Sequence, residues 1–275
     1  MACKATVLTE RPKTDLALSL SVSKVKTFKD CKAKFKFSYV EKLPRKDWEH
    51  LIFGKFLHEV LENFHKQLME NSQAQLHILM TECFKQSSVN WKDKLNVAQK
   101  QEAREILGVY LKQITEQKNN GTMPTILSVE KDFFIDIDGK ILLNGFIDRI
   151  QMDPDGVLHV SDYKTTKKKE YLKKDYFQLL TYAYVMCLED PKLEKVRTSY
   201  ILLRHNFETI IKEYSRNDIM KVEKKFLDYA ESIHAEKLYR PTPTPLCDYC
   251  DYLDLCDAGK NRNGKSESKF GALDW

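Results

Sequence analysis

Apolar positions along this 275-residue chain recur with two periods, and the change between them divides it. From Gly54 to Met69, Phe56, Leu57, Val60, Leu61 and Phe64 return at three- and four-residue intervals, the stripe of a core-facing helix. Helical spacing continues over about 74–87 and 93–118. An earlier basic helix starts from Ser21 or Ser23 as N-cap, carries Val25, Phe28, Phe35 and Tyr39, and holds Cys31 within it. Lys118-Asn119-Asn120-Gly121 closes this helical half. Beyond it the period shortens. Residues 126–137 alternate as a strand, Asp138-Gly139 signals a hairpin, and 140–152 return. Asp153-Pro154-Asp155-Gly156 turns the chain into a third strand over 157–165. A helix over about 173–188, a hairpin of 195–204 with 208–214, and a long helix over 216–236 complete the pattern.

These elements predict an α/β protein with a mixed central β-sheet flanked by helices. The expected organisation is a flexible N-terminus over 1–20, a helical part over 21–125, and a sheet-bearing core over 126–236. A cysteine-bearing segment over 237–257 then packs back against 21–40, and a flexible tail runs over 258–275. Residues 240–245, with proline at every other position from Pro241, form a stiff extended arm leading to those cysteines.

Composition narrows the class. Hydrophobic residues make up 42% and charged residues 31%, with 9 Gly and 8 Pro, which excludes a disordered chain. The longest uncharged apolar run, Phe177 to Leu188, is too short to cross a bilayer, so no membrane partner is expected. The N-terminus has no apolar signal core, which points to a cytoplasmic location. The net charge of +5 permits a polyanionic partner without requiring one. Seven cysteines without a secretory context argue against a disulfide framework. Cys3, Cys83 and Cys187 are scattered, whereas Cys247, Cys250 and Cys256 cluster and need a fourth ligand from elsewhere.

The chemistry concentrates between Asn144 and Tyr182. Side chains on a strand alternate faces, so Asp162 and Lys164 point one way and Tyr163 the other. The hairpin turn brings Asp148 near Asp162. Two carboxylates and an ammonium on one face suit a hard divalent cation, Mg²⁺ or Mn²⁺, with the lysine placing a water beside it. His58 and Glu62 lie four apart on one helix face.

Four elements occur in the order found in the RecB-type branch of the PD-(D/E)xK nuclease superfamily, which the chain resembles. They are Gly54-x3-His58-x3-Glu62, Gly145-x-Ile147-Asp148, Asp162-Tyr163-Lys164 and Gln178-x3-Tyr182. Glu130 is similar to an acid often found at that point of the strand run. Cys31 together with Cys247-x2-Cys250-x5-Cys256 resembles the iron–sulfur exonucleases of the CRISPR-adaptation type and the AddB nuclease domain. The resemblance covers about residues 20–257 and implies a restriction-endonuclease-like core. It further implies that His58, Asp148, Asp162 and the Tyr163 carbonyl bind metal, that Lys164 orients the attacking water, and that Gln178 and Tyr182 line the site. It gives the four cysteines a structural four-iron four-sulfur cluster; their spacing alone suits tetrahedral Zn²⁺ equally well. The departures are Lys32 after Cys31, where relatives often carry proline, and Ile147 in place of the proline of the superfamily name.

The activity implied is a metal-dependent DNA exonuclease acting on single strands or ends. An endonuclease, an end-trimming enzyme of CRISPR adaptation and a non-catalytic nucleic-acid-binding module are the alternatives. A helicase, or an adaptation or recombination protein, is the expected partner. A homo-oligomer is left open, as is the DNA compartment of a host cell should the chain be viral. Phe28, Lys29, Lys32, Phe35, Lys36 and Phe37 are candidates for tracking a strand, and Lys167, Lys168, Lys169, Lys173 and Lys174 for holding phosphates. The phosphate-loop pattern of Gly259 to Ser266 is set aside, because it follows the last cysteine in a polar tail without the strand and helix it needs.

Overall fold

The computed structural model describes residues 5–12, 18–46, 48–167, 169 and 176–261. In chain order it has β1 (Ala5–Leu8), β2 (Leu18–Leu20), α1 (Val22–Asp30), α2 (Lys32–Phe35), α3 (Glu49–Glu70), α4 (Leu76–Asn90) and α5 (Val97–Asn119). There follow β3 (Thr125–Ile137), β4 (Ile141–Met152), β5 (Leu158–Lys164), α6 (Phe177–Glu189), β6 (Lys195–Leu202), β7 (Glu208–Ser215), α7 (Arg216–Ile219), α8 (Val222–Ala235) and α9 (Asp257–Lys260). The strands hydrogen-bond in the order β1-β3-β4-β5-β6-β7, with β2 on β4. Pairing of β5 with β6 is parallel and of β4 with β5 and β6 with β7 antiparallel, so the sheet is mixed.

Two compact units divide the residues. One is built from 48–133 and 146–222, the other from 1–47, 134–145 and 223–274. This division cuts across the expected boundaries. The β3–β4 hairpin end belongs with the N-terminal and C-terminal segments, because β1 pairs with β3 (Ala5 opposite Ile137) and β2 with β4 (Leu20 opposite Leu143). Residues 1–20, expected to be flexible, therefore hold two strands. Each is too short to show a period, and the hairpin supplies the backbone partners that the sequence pattern does not reveal. Of the tail expected over 258–275, residues 258–260 close α9, and 262–275 lie outside the described residues. Gly259 of the rejected phosphate-loop pattern sits in that single helical turn.

The larger unit rests on the predicted helical stripe. Phe53, Phe56, Leu57, Val60, Leu61, Phe64 and Leu68 of α3 are buried against Leu79, Met80 and Phe84 of α4 and Ala103, Leu107 and Ile114 of α5. The helix α5 opens with a capping box, in which Gln99 N–H donates to Asn96 Oδ1 at 2.8 Å and Asn96 N–H to Gln99 Oε1 at 3.0 Å. Tyr163, Ile201, Leu203 and Phe207 join this cluster, so α3–α5 cover one face of the sheet. Strand alternation places Asp162 and Lys164 on the opposite face, under α6. At Gly54 a Cβ would stand 3.0 Å from Thr165 Oγ1, so the absent side chain lets α3 approach the end of β5.

Two polar networks lie within this unit. His65 Nδ1–H donates to Leu61 O (2.7 Å), its Nε2 lies 2.6 Å from Tyr110 Oη, and burial pushes its pKa down to about 3. Ser199 Oγ lies 2.8 Å from His159 Nε2, whose Nδ1 lies 2.9 Å from Asp153. That order matches a hydrolase relay, yet Ser199 is wholly buried and bonds Ser161 Oγ at 2.9 Å, so it ties strands together and meets no substrate.

In the smaller unit the expected single helix over Cys31 is broken. Ser21 caps α1, accepting from Lys24 N–H at 3.2 Å, but Cys31 takes an extended backbone, φ −160° and ψ 114°. After α2, residues Lys36–Val40 continue as a π-helical turn. The long helix expected over 216–236 is likewise split into α7 and α8. No described helix is long and apolar enough to cross a membrane.

Phe56, fully buried and edge-on to Phe84 at 5.5 Å, should be the costliest kind of truncation. Phe56→Ala is expected to lower unfolding free energy in urea by about 3–5 kcal/mol. Val97→Ala, at a position 84% exposed, should change it by no more than about 0.5 kcal/mol. Equal effects would mean that α3 is not the core of its unit.

Candidate metal centre

The β4–β5 register, Arg149 opposite Ser161, makes Asp148 and Asp162 neighbours across the hairpin. The turn that sets it closes with Gly156 N–H on Asp153 O at 2.8 Å, and Gly156 has φ +78°, a conformation glycine adopts without strain. Asp148 is then fixed by the backbone, its Oδ2 accepting from Tyr163 N–H at 2.7 Å. His58, from α3, lies with Nδ1 3.6 Å from the same oxygen, and its ring meets Tyr163 edge-on at 5.6 Å. Glu130 completes a trio. One ligand atom each from His58, Glu130 and Asp148 lies within 4.8 Å of the others. Glu130 sits in β3 with φ +45°, a left-handed conformation costing a non-glycine residue on the order of 1–2 kcal/mol.

Asp162 and Lys164 form a second, contiguous group. Lys164 Nζ lies 2.7 Å from Asp162 Oδ2 and donates to Gln178 Oε1 at 2.9 Å. Gln178 Nε2 donates to Tyr182 Oη at 2.8 Å, and Tyr182 O–H returns to Asp162 Oδ1 at 3.4 Å. The four side chains close a ring in which α6 supplies Gln178 and Tyr182 one turn apart. Burial, followed by the charges of Asp162 and Asp148, raises the Tyr182 pKa, which keeps its hydroxyl a donor. Asp162 Oδ2 is buried and takes part in no hydrogen bond, its contact with Lys164 being ionic.

The electrostatics point to a cation. Burial and the neighbouring Asp162 push the Asp148 carboxyl up to about 8, and burial with Asp148 pushes Glu130 up to about 7. Burial lowers His58, leaving its imidazole neutral with a lone pair to give. Clustered acids that resist ionising and a neutral imidazole fit a hard divalent ion. Once bound, its charge would favour the carboxylate forms of both acids.

Most of the predicted residues are brought together here: His58, Asp148, Asp162, Tyr163, Lys164, Gln178 and Tyr182, with Glu130 moved to the centre. Glu62 is not in the trio; it pairs with Lys66 at 2.5 Å, although its charge helps raise Glu130. Arg149 went unnoticed in the sequence. It is buried behind the site, donating to Tyr163 Oη at 3.2 Å and Tyr110 Oη at 3.4 Å. It follows the charged Asp148 in the strand, so nothing in the sequence pattern signals its burial or its partners.

In the other unit, Cys31, Cys247, Cys250 and Cys256 line one cavity. Thr242 N–H donates to Cys31 Sγ at 3.5 Å and Thr244 N–H to Cys247 Sγ at 3.4 Å. Phe28 and Phe35 are buried there, edge-on at 5.2 Å, so they cannot stack on bases as expected. Among the phosphate-binding candidates, Lys169 is paired with Glu208, and Lys168, Lys173 and Lys174 lie outside the described residues.

Residues 19–257 match the family described as the PD-(D/E)XK nuclease superfamily, and the chain belongs to that superfamily. Over 192 residues the chain is 32% identical to one of the subunits of an ATP-dependent helicase/deoxyribonuclease of Streptococcus agalactiae, in serotypes Ia, V and III. That match takes in 64% of this chain and 17% of those relatives, so the chain spans a small part of their length. The fold is also similar to a crystal structure described as “Putative exonuclease” from Eubacterium rectale, with TM-score 0.51 and 14% identity over 93% of this chain and 92% of that one.

Metal and protons compete for Asp148 and Glu130. Mn²⁺ affinity by calorimetry should rise at least about tenfold between about pH 6 and pH 8, with proton release, because both acids must ionise to bind. Asp148→Asn should weaken binding and flatten the profile. An affinity independent of pH in the native protein would contradict this arrangement.

Proposed function

We propose that the chain is a metal-dependent deoxyribonuclease of the exonuclease type, acting on single-stranded DNA or DNA ends. The observation that carries this is the trio of His58, Glu130 and Asp148 beside the Asp162–Lys164 pair. His58, Glu130, Asp148, Asp162 and the Tyr163 carbonyl are the proposed ligands of Mg²⁺ or Mn²⁺. An ion held there supplies Lewis acidity toward a phosphate oxygen and a lowered pKa for water. Lys164, anchored by Asp162 and Gln178, holds the attacking water in line and offsets charge that develops on the phosphate. Gln178 and Tyr182 keep that ammonium in place, and Tyr182 orients Asp162.

The four cysteines are proposed to hold a structural four-iron four-sulfur cluster. All four thiols line one cavity and two of them accept from backbone N–H groups, which supports a metal centre there. Tetrahedral Zn²⁺ suits four thiolates as well, and the resemblance of the cysteine pattern favours the cluster. The name shared by the Streptococcus agalactiae relatives adds a helicase as the proposed partner. Trimming of ends in CRISPR adaptation, and endonuclease action, are the alternative uses of this site.

Single-stranded DNA labelled at either end and a closed single-stranded circle separate these uses. In Mn²⁺ the linear strand should be shortened from one end and the circle left intact; a cut circle means an endonuclease. Asp162→Ala should lower the rate by about a thousandfold. Activity retained within tenfold would remove Asp162 from the site. Protein purified without oxygen should be brown with broad absorption at about 400 nm, whereas a colourless protein holding one zinc contradicts the cluster.

A further inference from the structure

The face of the sheet that carries Lys164 does not end at the ring of four side chains. Tyr200 pairs with Asp162 across β5–β6, and Lys212 pairs with Thr198 across β6–β7, so Asp162, Lys164, Tyr200 and Lys212 share one face. Contacts run along it in sequence. Lys164 Nζ lies 4.9 Å from the centre of the Tyr200 ring, and Tyr200 stacks on Tyr176 at 6.1 Å with planes 24° apart. Lys212 Nζ lies over the Tyr176 ring at 4.2 Å. Tyr200 is buried, Tyr176 half-buried and Lys212 exposed, so the series rises from the lysine of the site to solvent.

Lys212 has no carboxylate partner among the described residues. The acids flanking it on β7 are engaged elsewhere, Glu208 with Lys169 and Glu213 with Lys195 and Arg197. A cation held over a half-buried ring, leading into a phosphodiester-cleaving site, has the two chemistries that bind single-stranded nucleic acid: a charge for phosphate and a π-face for a base. We infer that Tyr176 and Lys212 form a subsite for the nucleotide next to the scissile phosphate, its phosphate drawing the Lys212 ammonium off the Tyr176 ring and its base taking the place of that ammonium on the ring. The substrate strand thus leaves the site across β6 and β7. This rests on the nuclease reading.

Lys212→Met and Tyr176→Leu test it with two substrates and a binding measurement. On a single-stranded oligonucleotide each should lower kcat/KM about tenfold, the worth of one stacked base. Lys212→Met should also reduce the salt slope of binding by about 0.7, one phosphate contact on a single strand. On bis-p-nitrophenyl phosphate, which has no neighbouring nucleotide, both variants should match the native rate. Tyr176→Trp should retain activity on the oligonucleotide. An equal fall on both substrates, or no fall on either, overturns the subsite. Should the native protein hydrolyse neither, the nuclease reading fails. Fluorescence anisotropy of labelled oligonucleotide in metal-free buffer then decides the subsite alone: about tenfold weaker binding by Lys212→Met supports it, and unchanged binding overturns it.

Discussion

Two carboxylates held opposite each other on adjacent antiparallel strands are the constraint on which the site depends. Asp148 and Asp162 are largely removed from water, and neither can turn away: one is tied to the Tyr163 amide, the other to Lys164 and Tyr182. Burial first, and then the like charge of Asp162, oppose ionisation of Asp148 and raise its pKa, against the Tyr163 amide and Lys164, which lower it. Left-handed strain at Glu130 adds a third acid to the same small volume. Local rules are broken where an ion would repay them, the usual place for such conflicts.

Much of this was legible in the sequence, for definite reasons. The helical stripe of α3 and the alternation of β5 are long, regular patterns, and each fixes faces without tertiary information. Residue spacing then put Asp162 and Lys164 on one side, and the Pro-Asp-Gly turn brought Asp148 opposite. Glu130 was harder to place, because one acid in an alternating strand looks like any solvent-facing residue until a positive φ turns it inward. The N-terminal strands were missed, since three or four residues carry no period and their pairing is set by a distant hairpin. The break at Cys31 was missed too, because the surrounding apolar spacing stays helical through it.

The unit bearing the cysteines is assembled from three separate stretches of chain. Apolar packing there is supplemented by polar ties across long sequence separations, Lys32 to Glu236 and Tyr252 Oη to Leu43 O at 3.2 Å. Linking Cys31 to Cys247, Cys250 and Cys256 through one metal centre would close the longest of these loops, where a cross-link restricts the unfolded chain most. Phe28 and Phe35, which looked like a stacking surface in the sequence, serve this packing instead.

The most direct test of the account is where a metal ion settles. Anomalous diffraction from crystals soaked in Mn²⁺ should show a peak bounded by His58, Glu130, Asp148 and Asp162, with Lys164 still against Asp162. Strong manganese peaks elsewhere, with these side chains facing an empty cleft, would contradict it.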